Sequence, residues 1–130
     1  MLQNAKAFSG FSVSNLDDAY HFYADMLGLK VDRTDDMGGM MHIHISGNNN
    51  PILVYPKADH QPATYTILNF PVTDIVAAVQ ELKARGVVFE QYNSEYVQTD
   101  ENGIHRNGGP LIAWFKDPSG NFLSVIEVTA

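Results

Sequence analysis

The chain has 130 residues, of which 45% are hydrophobic and 18% are charged, a composition typical of one globular domain and unlike that of a disordered chain. Its formal net charge of −7 disfavours contact with phosphate backbones, so we expect no nucleic-acid partner. Because the chain has no cysteine, disulfides, zinc–thiolate centres and thiol nucleophiles are excluded.

The first half of the chain predicts one strand, one helix and three further strands. The extended runs lie at residues 7–13, 30–34, 40–46 and 52–55. After the first run, apolar residues recur at steps of three and four from Leu16 to Leu27, which predicts an amphipathic helix. Asn15 is suited to cap the first free amides of this helix, and Gly28 is suited to end it in a left-handed conformation.

The second half repeats this order of elements. A helix is predicted between its cap residue Asp74 and Gly86. The strands around it are predicted at residues 65–72, 87–98, 110–116 and 122–128. The duplication predicts a single α+β domain over residues 1–130. Its first module covers about residues 1–57, its linker about 58–63 and its second module about 64–130.

Motifs in both halves resemble those of the vicinal oxygen chelate superfamily, which includes glyoxalases, extradiol dioxygenases and bleomycin-resistance proteins. They are FSVSNL at residues 11–16, LGL at 27–29, FPVTD at 70–74, LKARGV at 82–87 and WFKDPSGN at 114–121. The resemblance covers nearly the whole chain. It implies two tandem βαβββ modules, whose curved mixed sheets surround a central cavity with the helices on the convex side. It also implies a homodimer.

The active enzymes of this superfamily hold a divalent metal between the first and last strands of each half. Carried across residue by residue, the four ligand positions hold Phe8, Leu53, Ile67 and Ser124. Hydrocarbon side chains offer a cation no donor atoms, and one serine cannot hold it alone. The resemblance therefore implies no metal and no other cofactor here, and an apolar cavity wall suited to an aromatic or partly apolar ligand.

His42 and His44 lie two residues apart on a predicted strand, so both imidazoles point to one face while Met41 and Ile43 point to the other. That face is the cavity or, nearer the strand ends, solvent. The histidines could line the pocket, bind a relocated metal, act as acid and base, or serve only as polar wall residues.

Further ligand contacts are expected from the alternation of the strands. Trp114 is predicted opposite Ser124, where its indole is either a stacking platform or part of the core. Tyr55 alternates with Leu53 and is expected to face the cavity. Tyr65 and Asn69 are expected to share a face with Ile67, and the amide of Asn69 either binds a ligand or makes a cross-strand hydrogen bond.

A glycine-rich segment at residues 102–109 is predicted to be a loop that could cover the cavity. His105 lies in this segment, and Arg106 is either an anion clamp or an ordinary surface arginine. The first ten residues carry no secretory signal pattern and no apolar run is long enough for a bilayer, so we expect a cytoplasmic protein without a membrane partner.

These observations predict a metal-free protein that binds and sequesters an aromatic or partly apolar antibiotic or metabolite. The alternative is a lyase or dioxygenase-like enzyme, in which His42 and His44 act as relocated metal ligands or as acid and base. A third option is a structural module whose cavity is filled by side chains. The sequence assigns no catalytic residue.

Overall fold

The computed structural model describes residues 1–129, which form two compact units: unit 1 (Met1–Pro62) and unit 2, which begins at Ala63. Each unit has one open four-stranded sheet of mixed strand direction and one helix that packs on the sheet. This arrangement confirms the predicted α+β fold of two tandem modules. That the modules surround one cavity within a single domain stays a prediction. Within the described residues, no helix has the length and apolar character that crossing a bilayer requires.

Unit 1 contains strands β1 to β4 and helix α1. Their bounds are β1 Gly10–Val13, α1 Leu16–Tyr20, β2 Lys30–Thr34, β3 Met40–His44 and β4 Ile52–Pro56. The strand order is β1-β4-β3-β2, with β1 and β4 parallel and the other pairs antiparallel. One face of the sheet packs beneath the helix and is fully buried at Val13, Met41, Ile43 and Val54. The alternate residues form the open face of unit 1.

Helix α1 begins as the sequence predicts and then widens. The Asn15 side chain accepts a hydrogen bond from the backbone N–H of Asp18 at 2.9 Å. The helix continues without a break as a π-helix over His21–Met26. Leu27 N–H, for example, donates to Phe22 C=O five residues back, at 2.9 Å. Gly28 follows with a φ of 73°, which ends the helix in the left-handed conformation expected for it.

Unit 2 contains strands β5 to β8 and helix α2. Their bounds are β5 Thr66–Val72, α2 Ile75–Ala84, β6 Ile104–His105, β7 Ile112–Lys116 and β8 Phe122–Glu127. The strand order is β5-β8-β7-β6, with β5 and β8 parallel. Asp74 caps α2 by accepting from Ala77 N–H at 3.1 Å. The core beneath α2 consists of Ile75, Val79, Ala113, Phe115, Leu123 and Val125.

The predicted strand at residues 87–98 is wrong. This segment makes only isolated β-bridges, such as Phe89 with Phe115. Part of its backbone forms hydrogen bonds within the segment rather than with a neighbouring strand of the sheet. Thr99 N–H donates to Tyr92 C=O at 3.0 Å, and Tyr92 N–H donates to Thr99 Oγ1 at 2.8 Å. The edge of the sheet is therefore occupied by β6, within the segment predicted to be a covering loop. His105 is buried in that strand.

A β-bulge in β5 corrects a second prediction. Thr66 pairs with Phe122 and Leu68 pairs with Leu123, so two steps along β5 match one step along β8. The extra residue is Ile67, which breaks the face it was predicted to share with Asn69. Thr66 instead lies on the face of Trp114, whose Nε1 donates to Thr66 Oγ1 at 3.2 Å.

The predicted turn between β7 and β8 is held by Asp117. Its Oδ1 accepts from the backbone N–H groups of Ser119 and Asn121, both at 2.9 Å, and its Oδ2 accepts from Asn121 Nδ2 at 3.0 Å. Gly120 takes a φ of 85° in this turn. Because the turn fixes the β7–β8 register, it sets Trp114 opposite Ser124 as predicted.

The turn before β6 depends on a second carboxylate. Asp100 Oδ1 accepts from the N–H groups of Asn102 and Ile104, both at 2.9 Å, and Oδ2 accepts from Arg106 Nε at 3.0 Å. Burial alone would raise the pKa of the Asp100 carboxyl, but these donors outweigh burial and lower it. Arg106 is thus engaged in an ion pair that stabilises the turn.

Replacing Asp100 with asparagine should lower the free energy of unfolding by about 1 kcal/mol at neutral pH, because a charged acceptor makes the stronger hydrogen bonds. Since the pKa of Asp100 is lowered in the folded state, the parent protein should lose this stability as the pH falls below about 4 and through the folded-state pKa. Chemical denaturation at a series of pH values measures both effects.

The matched control is Asp36→Asn, which removes an exposed carboxylate and should change stability by less than about 0.5 kcal/mol. A stability difference between the parent and Asp100→Asn that stayed constant into strong acid would contradict the role given to the Asp100 charge.

Candidate functional site

Unit 2 contains a pocket of about 180 Å³ on the face of its sheet opposite α2. Half of its lining residues are aromatic, and most of the others carry hydroxyl groups. The lining residues are Thr64, Tyr65, Thr66, Tyr92, Ser94, Val97, Trp114 and Phe122. One wall of the pocket is formed by the segment before β6, whose backbone forms hydrogen bonds within the segment. This segment contributes Tyr92, Ser94 and Val97 to the lining.

The indole of Trp114 is fixed by its neighbours in unit 2. Its Nε1 bonds to Thr66, and its ring centroid lies 5.8 Å from that of Tyr92 at an interplanar angle of 84°. The buried imidazole of His105 lies 6.1 Å from the indole. Edge-to-face contacts of this kind stabilise aromatic pairs. Trp114 is half-buried, so it is both packed against neighbours and presented to the pocket.

The phenol of Tyr92 lies in the pocket wall, and its pKa is shifted. Burial raises that pKa, and the negative charge of Glu90 raises it further. The phenol therefore stays protonated at neutral pH and can donate a hydrogen bond. Glu90 forms an ion pair with Lys116 at 3.3 Å, and the ammonium of Lys116 lies 4.9 Å from the centroid of the Phe122 ring.

The side chains of Ser124 and Asn69 form a hydrogen bond with each other. They are register partners on adjacent parallel strands, and the fully buried hydroxyl of Ser124 donates to Asn69 Oδ1 at 2.5 Å. The cross-strand hydrogen bond that the sequence left open for Asn69 is thus present. Of the residues expected to contact a ligand in unit 2, Tyr65 and Trp114 line the pocket, whereas Asn69 and Ser124 lie elsewhere in the unit.

The open face of unit 1 carries two histidines and an aspartate. His42 is half-buried and lies opposite Asp32 and Leu53 across the sheet, while the Nε2–H of His44 donates to Asp32 Oδ2 at 2.7 Å. At the opposite edge of this sheet, in β1, the Ser12 hydroxyl and His60 Nδ1 share a hydrogen bond of 2.7 Å. Met41 and Ile43 are buried on the helix face, as predicted for β3.

The remaining predicted residues of unit 1 differ in exposure. Phe8 lies before β1 and 65% of its surface is exposed, and Tyr55 is also exposed. Leu53 is half-buried in β4 beside Gly10. Phe8, His42, His44, Leu53 and Tyr55 therefore belong to unit 1, whereas Ile67, Asn69, Trp114 and Ser124 belong to unit 2.

The residues present do not fit a divalent metal. The four positions predicted to correspond to the metal ligands of the superfamily's enzymes hold Phe8, Leu53, Ile67 and Ser124, which together offer one hydroxyl. Within residues 1–129, no group of three or more histidine and acidic side chains is arranged to hold an ion. His42 and His44 thus lack a third ligand of those types, and three protein ligands are the usual minimum at such sites.

Sequence reasoning missed most of the pocket wall. Phe122 could have been found, because it alternates with Ser124 and thus shares the face of Trp114. Thr66 could not, because only the bulge brings it to that face. Tyr92 was assigned to a regular strand, and no local signal shows that its segment bonds to itself instead.

Comparisons with known proteins agree with this architecture. A sequence model of the Glyoxalase/Bleomycin resistance protein/Dioxygenase superfamily matches residues 8–125. Among solved structures, the chain resembles TnmS3, an antibiotic binding protein from Streptomyces sp. CB03234, with 19% identity, a TM-score of 0.65 and coverage of 97% of this chain and 98% of that one. No curated protein sequence matches the chain significantly.

Two glyoxalase-family structures are similar to the same degree. For the protein from Enterococcus faecalis, the identity is 17%, the TM-score 0.68, and the coverage 98% of this chain and 100% of that one. For a superfamily member from Sphaerobacter thermophilus DSM 20745, the identity is 20% and the TM-score is 0.67. The match covers 95% of this chain and 98% of that one. At such identities the likeness establishes the fold alone.

Tyr92 should ionise only at a pH above the usual range of a tyrosine, because burial and the charge of Glu90 both oppose its phenolate. The stability linked to its raised pKa is present below pH about 10 and is lost as the pH rises through the folded-state value. Alkaline titration followed by phenolate absorbance should show that Tyr92→Phe removes the high-pH end of the curve.

The control is Tyr96→Phe in the same segment, whose side chain is 84% exposed and so lacks the burial that acts on Tyr92. If both variants removed absorbance over the same pH interval, the environment assigned to Tyr92 would be wrong.

Proposed function

The chain belongs to the Glyoxalase/Bleomycin resistance protein/Dioxygenase superfamily, and from that premise we propose that it binds and sequesters a small, partly apolar aromatic molecule without a metal. The observation that supports this most directly is the pocket of unit 2, whose wall includes Tyr65, Tyr92, Trp114 and Phe122. Clefts lined by aromatic side chains with a few polar groups are the usual form of small-molecule sites.

The size of the pocket limits how much of a ligand it can enclose. Its volume of about 180 Å³ exceeds the roughly 150 Å³ of an engineered cavity that binds benzene, but it is below the roughly 300 Å³ at which drug-sized sites begin. One ring system would therefore enter the pocket, and the rest of a larger molecule would remain outside it.

The polar groups of the wall would orient the bound ring. The protonated phenol of Tyr92 is a donor, and the hydroxyls of Thr64 and Ser94 can donate or accept. Trp114 Nε1 is already bonded to Thr66, so the indole contributes its surface rather than its N–H. The ligand would be held mainly by ring contacts, with hydrogen bonds selecting its orientation.

Two further observations support a binding role: the scarcity of metal-ligating atoms at the predicted ligand positions, and the similarity to TnmS3. Hydrocarbon side chains at three of the four ligand positions leave little to hold an ion, so the ring contacts would act alone. TnmS3 is an antibiotic binding protein, and an antibiotic or metabolite is the kind of ligand we propose for this chain. We further propose a cytoplasmic homodimer, whose mass of two 14.4 kDa chains light scattering would detect.

A second candidate function is metal-free acid–base catalysis by His44. The carboxylate of Asp32 accepts a hydrogen bond from His44 Nε2–H at 2.7 Å, and a carboxylate so placed orients an imidazole for proton transfer. The version with a relocated metal gains no third ligand and is not proposed.

Trp114→Ala should weaken the binding of 2-naphthol, indole or phenol about tenfold, because the largest ring surface of the pocket is lost. Calorimetric titration measures this without relying on the fluorescence of the only tryptophan. Tyr96→Ala is the matched control, since Tyr96 is an exposed aromatic of the same unit that does not line the pocket.

Thermal unfolding of both variants shows whether the fold is retained. The proposal fails if none of the three compounds binds the parent protein, or if a folded Trp114→Ala variant binds them as tightly as the parent does.

The catalytic alternative is tested with the hemithioacetal of methylglyoxal and glutathione, in the presence of a chelator. If His44 is an acid–base group, His44→Gln should reduce turnover at least about a hundredfold. His21→Gln is the control, because His21 makes a similar bond to Asp25 at 2.8 Å on the exposed side of the helix. We expect no turnover by the parent protein, and turnover that depends on His44 would establish the second function instead.

A further inference from the structure

The pocket of unit 2 has no formal charge in its lining. Its eight lining residues include four aromatic rings but no lysine, arginine, aspartate or glutamate. An anionic ligand would therefore lose its hydration without gaining a cationic partner in the lining, and the nearby ammonium of Lys116 is already paired with Glu90. The faces of aromatic rings, by contrast, carry negative potential and attract cations.

The rings are arranged in a way that suits a cation. Tyr92 and Trp114 stand nearly perpendicular, at 84°, and so form a corner in which a positive group can approach the face of one ring. The same neighbourhood already holds an ammonium against a ring, because Lys116 Nζ lies 4.9 Å from the Phe122 centroid. That distance is within the range of cation–π attraction.

The segment that forms one wall of the pocket carries mostly negative charge. The segment that contributes Tyr92 to the wall bears four carboxylates between residues 90 and 101 and no lysine or arginine: Glu90, Glu95, Asp100 and Glu101. The charges of two of these carboxylates are balanced by ion pairs, Glu90 with Lys116 and Asp100 with Arg106. Within residues 1–129, Glu95 and Glu101 have no such ion pair. From residue 63 onward the chain has eight acidic side chains against four basic ones.

One of these carboxylates acts on the pocket wall itself. After burial, the charge of Glu90 is the cause that raises the pKa of the Tyr92 phenol, which means that the carboxylate disfavours a second negative charge at the pocket. The same charge would favour a positive group there, to an extent that salt would reduce. Ring geometry and surrounding charge thus select the same class of ligand.

We propose that the pocket of unit 2 selects aromatic cations, in which a planar ring carries a protonated or quaternary nitrogen. The inference rests on the proposed binding function and narrows its ligand class. The ring contacts Tyr92 and Trp114, the positive nitrogen lies against an aromatic face, and the carboxylates of residues 90–101 oppose the entry of anions.

Three two-ring probes of similar size test the proposal: N-methylquinolinium as the cation, 2-naphthol as the neutral compound and 2-naphthoate as the anion. Calorimetric titration at neutral pH and low salt should show the cation binding about fivefold or more tightly than 2-naphthol, with 2-naphthoate weakest. The advantage of the cation over the anion should shrink as salt is added.

A pair of variants locates the source of the selectivity. Glu90→Gln should reduce the preference for N-methylquinolinium over 2-naphthol, because it removes the carboxylate that acts on Tyr92 and leaves the charge of Lys116 unmatched. Glu81→Gln makes the same change of charge on α2, which contributes no lining residue, and should leave the preference unchanged. An equal reduction in both variants would overturn the local origin proposed here.

The two levels of the proposal fail in different ways. If none of the three probes binds, the proposed binding function itself is wrong. If 2-naphthol binds but N-methylquinolinium has no advantage, or if 2-naphthoate binds as tightly as the cation, the binding function stands and the selection of cations is overturned.

Discussion

The pocket depends on where the backbone of residues 92–99 makes its hydrogen bonds. Buried or half-buried N–H and C=O groups must find partners, and in this segment several find them within the segment, between Tyr92 and Thr99. The segment therefore does not extend the sheet. It stands beside the sheet instead, which leaves the edge for β6 and places Tyr92 at a right angle to Trp114.

The two units share a topology and differ in chemistry. In both, one sheet face is apolar and covered by a helix, so burial of that face stabilises each unit in the same way. The open faces are under no such constraint. That of unit 1 bears imidazoles and a carboxylate, centred on His42, His44 and Asp32, whereas that of unit 2 bears the aromatic rings around Trp114. Duplication of the fold therefore did not duplicate a site.

The four positions predicted to correspond to metal ligands offer little to bind an ion. Ile67 is displaced by the bulge, and the hydroxyl of Ser124 is buried in a hydrogen bond to Asn69. The one side-chain oxygen among these four positions is therefore already engaged in a hydrogen bond within the protein. In the proposed function, the binding energy would come from contact with the aromatic rings of unit 2 and from nearby charges, and neither contribution needs an ion.

The sequence by itself determined the elements whose cause is local. Hydrophobic periodicity and the caps Asn15 and Asp74 determined the helices, and alternation with turn residues determined most of the strands. The duplicated order of these elements determined the architecture. The resemblance located Ser124, and strand pairing placed Trp114 opposite it, but neither indicated Thr66 or Tyr92. Those positions depend on a register shift and on hydrogen bonds between residues distant along the chain, and only the tertiary structure, in which these backbones compete for partners, decided them.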